Sequence, residues 1–115
     1  MNINDVMNLL EKNKIIFKES QAPIPNSLKN KVVKEQVILL LPLTYQVLHV
    51  YEFNDGDDLA QEKKGLLKKF KKEYFDSEVV AIETNNIFIV TSKDKGEKES
   101  KFEKQLKDIF LSEEK

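Results

Sequence analysis

The chain has 115 residues, a net charge of −1, 40% hydrophobic and 34% charged side chains. That length supports one core, and the near-zero charge gives no global field favouring nucleic acid or an anionic membrane. All nineteen basic side chains are lysine, cysteine, arginine and tryptophan are absent, and there are three glycines. These absences exclude disulfides, thiolate metal sites and iron–sulfur clusters, and with so few glycines neither a phosphate-cradling loop nor a nucleophile elbow can be built.

The expected elements follow in chain order. Asn2 or Asn4 caps a first short helix, with Asp5 in its first turn and Ile3, Val6, Met7 and Leu10 forming an apolar stripe. Ile15, Ile16 and Phe17 suggest a short strand over Lys14 to Lys18, and the two prolines between Gln21 and Asn30 suggest a loop. Lys34 to Leu41 is a strand whose apolar end predicts burial on both faces, with Pro42 marking a strand end or an edge position. From Tyr45 to Phe53 alternation puts Tyr45, Val47, His49, Tyr51 and Phe53 on one face, Leu48 and Val50 on the other.

Asn54-Asp55-Gly56 is a turn, and Asp55 or Asp57 caps a second helix with Leu59, Leu66, Leu67, Phe70 and Tyr74 as its apolar stripe. Gly65 interrupts that helix at a cost of about 1 kcal/mol relative to alanine. It reads as a close approach to the sheet or another chain, or as a kink. Glu78 to Thr84 and Ile87 to Ser92 form a hairpin about Asn85-Asn86, since asparagine tolerates the left-handed backbone of a two-residue turn. After a charged loop, Lys93 to Lys98, a last helix runs from about Glu99 to Ser112 with Phe102, Leu106, Ile109 and Phe110 on one side. The expected fold is a single α+β domain over residues 1–115. It holds a largely antiparallel five-stranded sheet and three helices in the order αβββαββα, the helices mainly on one face.

The longest apolar run, Val37 to Leu41, is far short of the roughly 20 residues that span a bilayer. No apolar signal segment follows Asn2. The expected location is cytoplasmic if Met1 is the native start, and extracytoplasmic or membrane-anchored if a signal segment has been removed.

The segment from Val47 to Asn54, followed by Asp57-Asp58-Leu59 and a lysine-rich helix, resembles small extracytoplasmic proteins of Bacillus and related Gram-positive bacteria. Val79 to Ile82, Asn86 to Val90 and Phe102 to Leu106 fit the same pattern. Such proteins usually follow a lipoprotein signal, and most have no assigned activity. The resemblance therefore implies a fold and a location, and no mechanism. This chain departs from the group in having neither the signal segment nor the lipidated cysteine.

His49 is the one side chain that ordinarily titrates near neutrality. Its ordinary reading is a half-buried sheet histidine; a catalytic role requires a partner within hydrogen-bond reach, with Ser92 or Ser20 as conceivable nucleophiles. Asp55, Asp57, Asp58 and Glu62 form an acidic group, but the spacing does not match a calcium loop, and helix capping already explains them. The lysines at 63, 64, 68, 69, 71 and 72 fall away from the apolar stripe, where they form a solvated face or a surface for phosphates, an acidic protein or a membrane. Sequence-specific nucleic-acid reading is disfavoured, because it leans on arginine.

The expectation is a non-catalytic interaction or accessory domain without cofactor or metal. Tyr45, His49, Tyr51, Lys64, Lys68, Lys71 and Lys72 are its candidate binding residues, and an acidic protein is its candidate partner. A small-ligand carrier with a pocket between sheet and helices is the alternative, and an enzyme built around His49 is the third reading. The oligomeric state is not determined by the sequence.

Overall fold

The computed structural model describes residues 1–20, 33–43, 46–73, 76–94 and 101–112. Three helices and five strands alternate among them: α1 (Ile3–Lys12), β1 (Lys18–Glu19), β2 (Val33–Leu41), β3 (Gln46–Phe53), α2 (Gly56–Glu73), β4 (Ser77–Thr84), β5 (Ile87–Asp94) and α3 (Lys101–Ser112). The strands form one antiparallel sheet in the order β1-β2-β3-β5-β4. This is the α+β class and the element order expected. The loop read at 21–30, Tyr45, Tyr74 and residues 95–100, which hold most of the charged loop and the expected start of the last helix, lie outside the described residues.

Asn2 closes the start of α1 with a reciprocal capping box: its side chain accepts from the Asp5 N–H at 2.8 Å, while Asp5 accepts from the Asn2 N–H at 2.9 Å. At the other end, the Ile15 N–H donates to the Leu10 carbonyl and the Lys14 N–H to that of Glu11. Lys14 is left-handed, with φ 61°. Together these make a Schellman closure with Ile15 folded back onto the core beside Leu10. The strand expected over Lys14 to Lys18 is therefore not formed there. Ile15 is spent on closing the helix, Ile16 is exposed, Phe17 packs on the core, and pairing with β2 begins only at Lys18.

Strand alternation divides the buried residues between two cores. Val37, Leu39 and Leu41 of β2, Leu48 and Val50 of β3, Ile82 of β4 and Ile87 and Ile89 of β5 face α1 and α3. Tyr51 and Phe53 of β3 with Phe88 and Val90 of β5 face α2, which contributes Leu59 and Phe70. Two of the three helices thus share one face, and the third covers the other. The expectation that both faces of β2 are buried is corrected: Ile38 is only partly covered and Leu40 is 38% exposed. The reason is the seat of α2, which packs on β4, β5 and β3.

The β4–β5 hairpin turns at Asn85-Asn86 as expected, with Asn85 left-handed at φ 51° and Thr84 paired with Ile87. Asn86 also locks the turn to the next strand: its side-chain amide donates to the Phe53 carbonyl at 2.9 Å, and its own carbonyl accepts from the Phe53 N–H at 2.8 Å. The radius of gyration, 13.5 Å, matches the roughly 13 Å of a single compact domain of this length.

Candidate functional site

His49 lies in the middle of β3, between Ile38 of β2 and Val90 of β5. Its ring rests on Phe70 of α2, with centroids 4.8 Å apart and planes tilted by 52°. Phe70 also meets Tyr51 edge-on at 6.2 Å, so one buried phenyl ring ties both β3 side chains to the second half of α2. Burial in this apolar setting lowers the His49 pKa below its ordinary 6.5, opposed by the nearby charge of Glu73. The imidazole is a packing member of the α2-side core, held toward its neutral form.

The other candidates separate. Tyr51 is 2% exposed, so its ring serves the core and offers a partner no surface. Tyr45 lies outside the described residues. Lys64, Lys68, Lys71 and Lys72 are all exposed and follow one another up the outer side of α2, where three- and four-residue spacings bring side chains together. No ion pair is formed by these four among the described residues. Lys63, by contrast, is directed toward the sheet and bridges Glu83 of β4 at 3.1 Å.

At the opposite end of α2, Asp55 is the cap: its carboxylate accepts from the Asp58 N–H at 2.8 Å, satisfying one of the helix's open donors. Asp57 and Asp58 occupy the first turn. The Asp58 carboxyl is pushed above its ordinary range by loss of solvation and by the charges of Asp55, Asp57 and Glu62. Among the described residues no group of three or more histidine, aspartate or glutamate side chains is arranged to hold a metal. An open groove of about 430 Å³ runs beside α1, lined by Met1, Asp5, Asn8, Leu9, Lys12 and Asn85. It lies between α1 and the β4–β5 turn, and His49 is not among its lining residues. No helix among the described residues is long and apolar enough to cross a membrane.

Two buried carboxylates escaped sequence reasoning. Glu52 of β3 accepts from the Ile3 N–H at 2.9 Å, holding the open end of α1, and pairs at 3.6 Å with Lys34, the extra residue of a bulge in β2. Glu103 of α3 lies 3.1 Å from Lys93 of β5 and 3.4 Å from Lys107. Each sits where the periodicity asks for an apolar residue, Glu52 in line with Leu48 and Val50, Glu103 in line with Leu106 and Phe110. That mismatch was the available signal. Both clamp helices to the sheet. In comparison with known proteins, no family model, no curated protein and no solved structure matches this chain.

Proposed function

We propose that this chain is a non-catalytic interaction domain whose working surface is the outer side of α2. The observation that carries the reading is the row Lys64, Lys68, Lys71 and Lys72, exposed and without ion pairs among the described residues. Like charges at i,i+4 destabilise an isolated helix, so the row carries a repulsion that an acidic partner relieves. The setting of His49 supports the same reading, since a ring packed on Phe70 between two apolar strand neighbours is placed for stability. The resemblance to Gram-positive lipoprotein-type proteins adds an extracytoplasmic location to the proposal. An upstream apolar segment ending in cysteine is the observation that tests it.

The functional test is binding to poly-L-glutamate as an acidic stand-in. The wild type is expected to bind at low salt and to release as salt shortens the Debye length. Replacing Lys64, Lys68, Lys71 and Lys72 together by glutamine is expected to weaken binding by at least ~10-fold, each surface charge contributing a few tenths of a kcal/mol or more. A control that neutralises Lys12 and Lys104, which are exposed on α1 and α3, is expected to leave binding nearly unchanged. Equal loss in both variants reduces the row to ordinary surface charge.

A further inference from the structure

The proposal above leaves two facts about α2 unexplained. The first is Gly65. It sits in the middle of the helix, exposed, and a Cβ built there meets nothing within 4 Å. The sheet therefore does not require a glycine, and the unbroken helix from Gly56 to Glu73 shows no interruption at that position. The second is that the charges which capping and the helix dipole place at the two ends of α2 stay unpaired among the described residues. Asp57 and Asp58 occupy the first turn of α2, and Lys71 and Lys72 the last. None of these four forms an ion pair among the described residues.

Both facts have one geometric solution. The midpoint of Gly56–Glu73 falls between Lys64 and Gly65. Turning α2 end for end about that midpoint superposes its acidic end on its basic end, so the outer side is complementary to itself. We infer that the outer side of α2 docks against the same helix of a second copy of this chain, antiparallel, about a two-fold axis beside Gly65. This names the partner of the surface already proposed and rests on that reading.

In that arrangement Asp57 and Asp58 face Lys71 and Lys72 of the second copy, and Gln61 faces Lys68, each contact occurring twice by symmetry. The two glycines meet at the crossing, where the missing side chains let the backbones approach. A two-fold axis keeps each flank of the helix on its own side. Lys64, on the flank away from Gly65, therefore faces its own counterpart and opposes the association. The contact is one face of a helix about 27 Å long, smaller than the ~1,600 Å² of a standard interface, so the dimer is weak and salt-sensitive.

Sedimentation equilibrium of the intact chain tests this over ~10 µM to ~1 mM protein, at ~20 mM and ~500 mM salt. The expected result is a reversible monomer–dimer equilibrium whose dissociation constant rises at least ~10-fold at high salt. The pair Lys71→Glu with Lys72→Glu is expected to be monomeric, as is the pair Asp57→Lys with Asp58→Lys. An equimolar mixture of the two is expected to recover a heterodimer, because positions 57 and 58 of each variant again face opposite charges at positions 71 and 72 of the other. Gly65→Gln, which has open space around it and a better helix former in place of glycine, is expected to stay folded and weaken association at least ~5-fold. Lys64→Gln is expected to strengthen self-association, whereas it weakens binding to poly-L-glutamate.

A wild type that stays monomeric throughout, or reversed variants that stay monomeric when mixed, overturns the self-docking. If the monomer still binds poly-L-glutamate through its lysine row, the interaction reading stands and only the identity of the partner is lost. Failure of both measurements removes both.

Discussion

Lys14 shows how a single residue redirects a segment. Its left-handed backbone, φ 61°, costs a side-chain-bearing residue roughly 1–2 kcal/mol, and the Schellman closure of α1 holds it there. Lys14→Gly is expected to raise stability by about 1 kcal/mol, a rise of roughly 4 °C in Tm for a domain of this size, measured by thermal denaturation. Thr84 is buried, and its hydroxyl oxygen has no hydrogen-bond partner. Thr84→Val keeps the shape and removes the orphan group, so a gain of about 1 kcal/mol in urea denaturation is expected. Gly65→Ala is expected to add about 0.8–1 kcal/mol, because the new methyl enters open space and the helix loses its weakest former. An unchanged or lowered urea midpoint for that variant contradicts the reading of Gly65 as intramolecularly idle. The sequence alone exposed Gly65 as an anomaly; only the packing eliminated the sheet as its cause. Lys14 gave no warning at all, since lysine is not a residue that announces a left-handed turn.

At the scale of elements, α2 depends on one anchor. Phe70 is 1% exposed and touches both His49 and Tyr51, so Phe70→Ala is expected to cost about 3–5 kcal/mol. Near-ultraviolet circular dichroism of the tyrosines reports whether the α2-side core has loosened. Most elements were legible because local periodicity and burial agree: the apolar stripe of α1, the alternation of β3, and the Asn85-Asn86 hairpin each need only neighbouring residues. Two readings failed for one shared reason. The triplet Ile15, Ile16 and Phe17 looked like a strand, and Ile38 and Leu40 looked buried, because apolar runs state that burial is wanted and not which neighbour supplies it. Ile15 found the end of its own helix, while Leu40 lies outside the seat of α2.

For the whole molecule, the pH response follows from the same core. The folded state holds the His49 pKa below 6.5 by burial, with Glu73 opposing. Between 6.5 and that lowered value the unfolded chain binds a proton that the native chain does not, so stability falls as pH falls through this window and is fully present above it. His49→Gln is expected to remove that part of the slope in urea denaturation measured from pH 7.5 to 5, and an identical slope in both proteins places the titration elsewhere. Glu73→Gln is expected to steepen the wild-type decline, because it removes the charge that favours the imidazolium.

The candidate site was legible only in part. The lysine row could be placed on the outside of α2 from helical spacing, as its apolar stripe left no other side for Lys64, Lys68, Lys71 and Lys72. Tyr51 could not be so placed, since alternation assigns a face and cannot say whether a helix covers it. By itself the sequence determined the element types, the hairpin and the α+β class and narrowed the caps of α1 and α2 to two residues each, because those depend on residues close in the chain. Tertiary structure alone decided that α2 crosses to the opposite face, that Glu52 and Glu103 become buried clamps, and that Gly65 touches nothing. Each of these turns on which distant element arrives next to a residue, and local pattern carries no record of that.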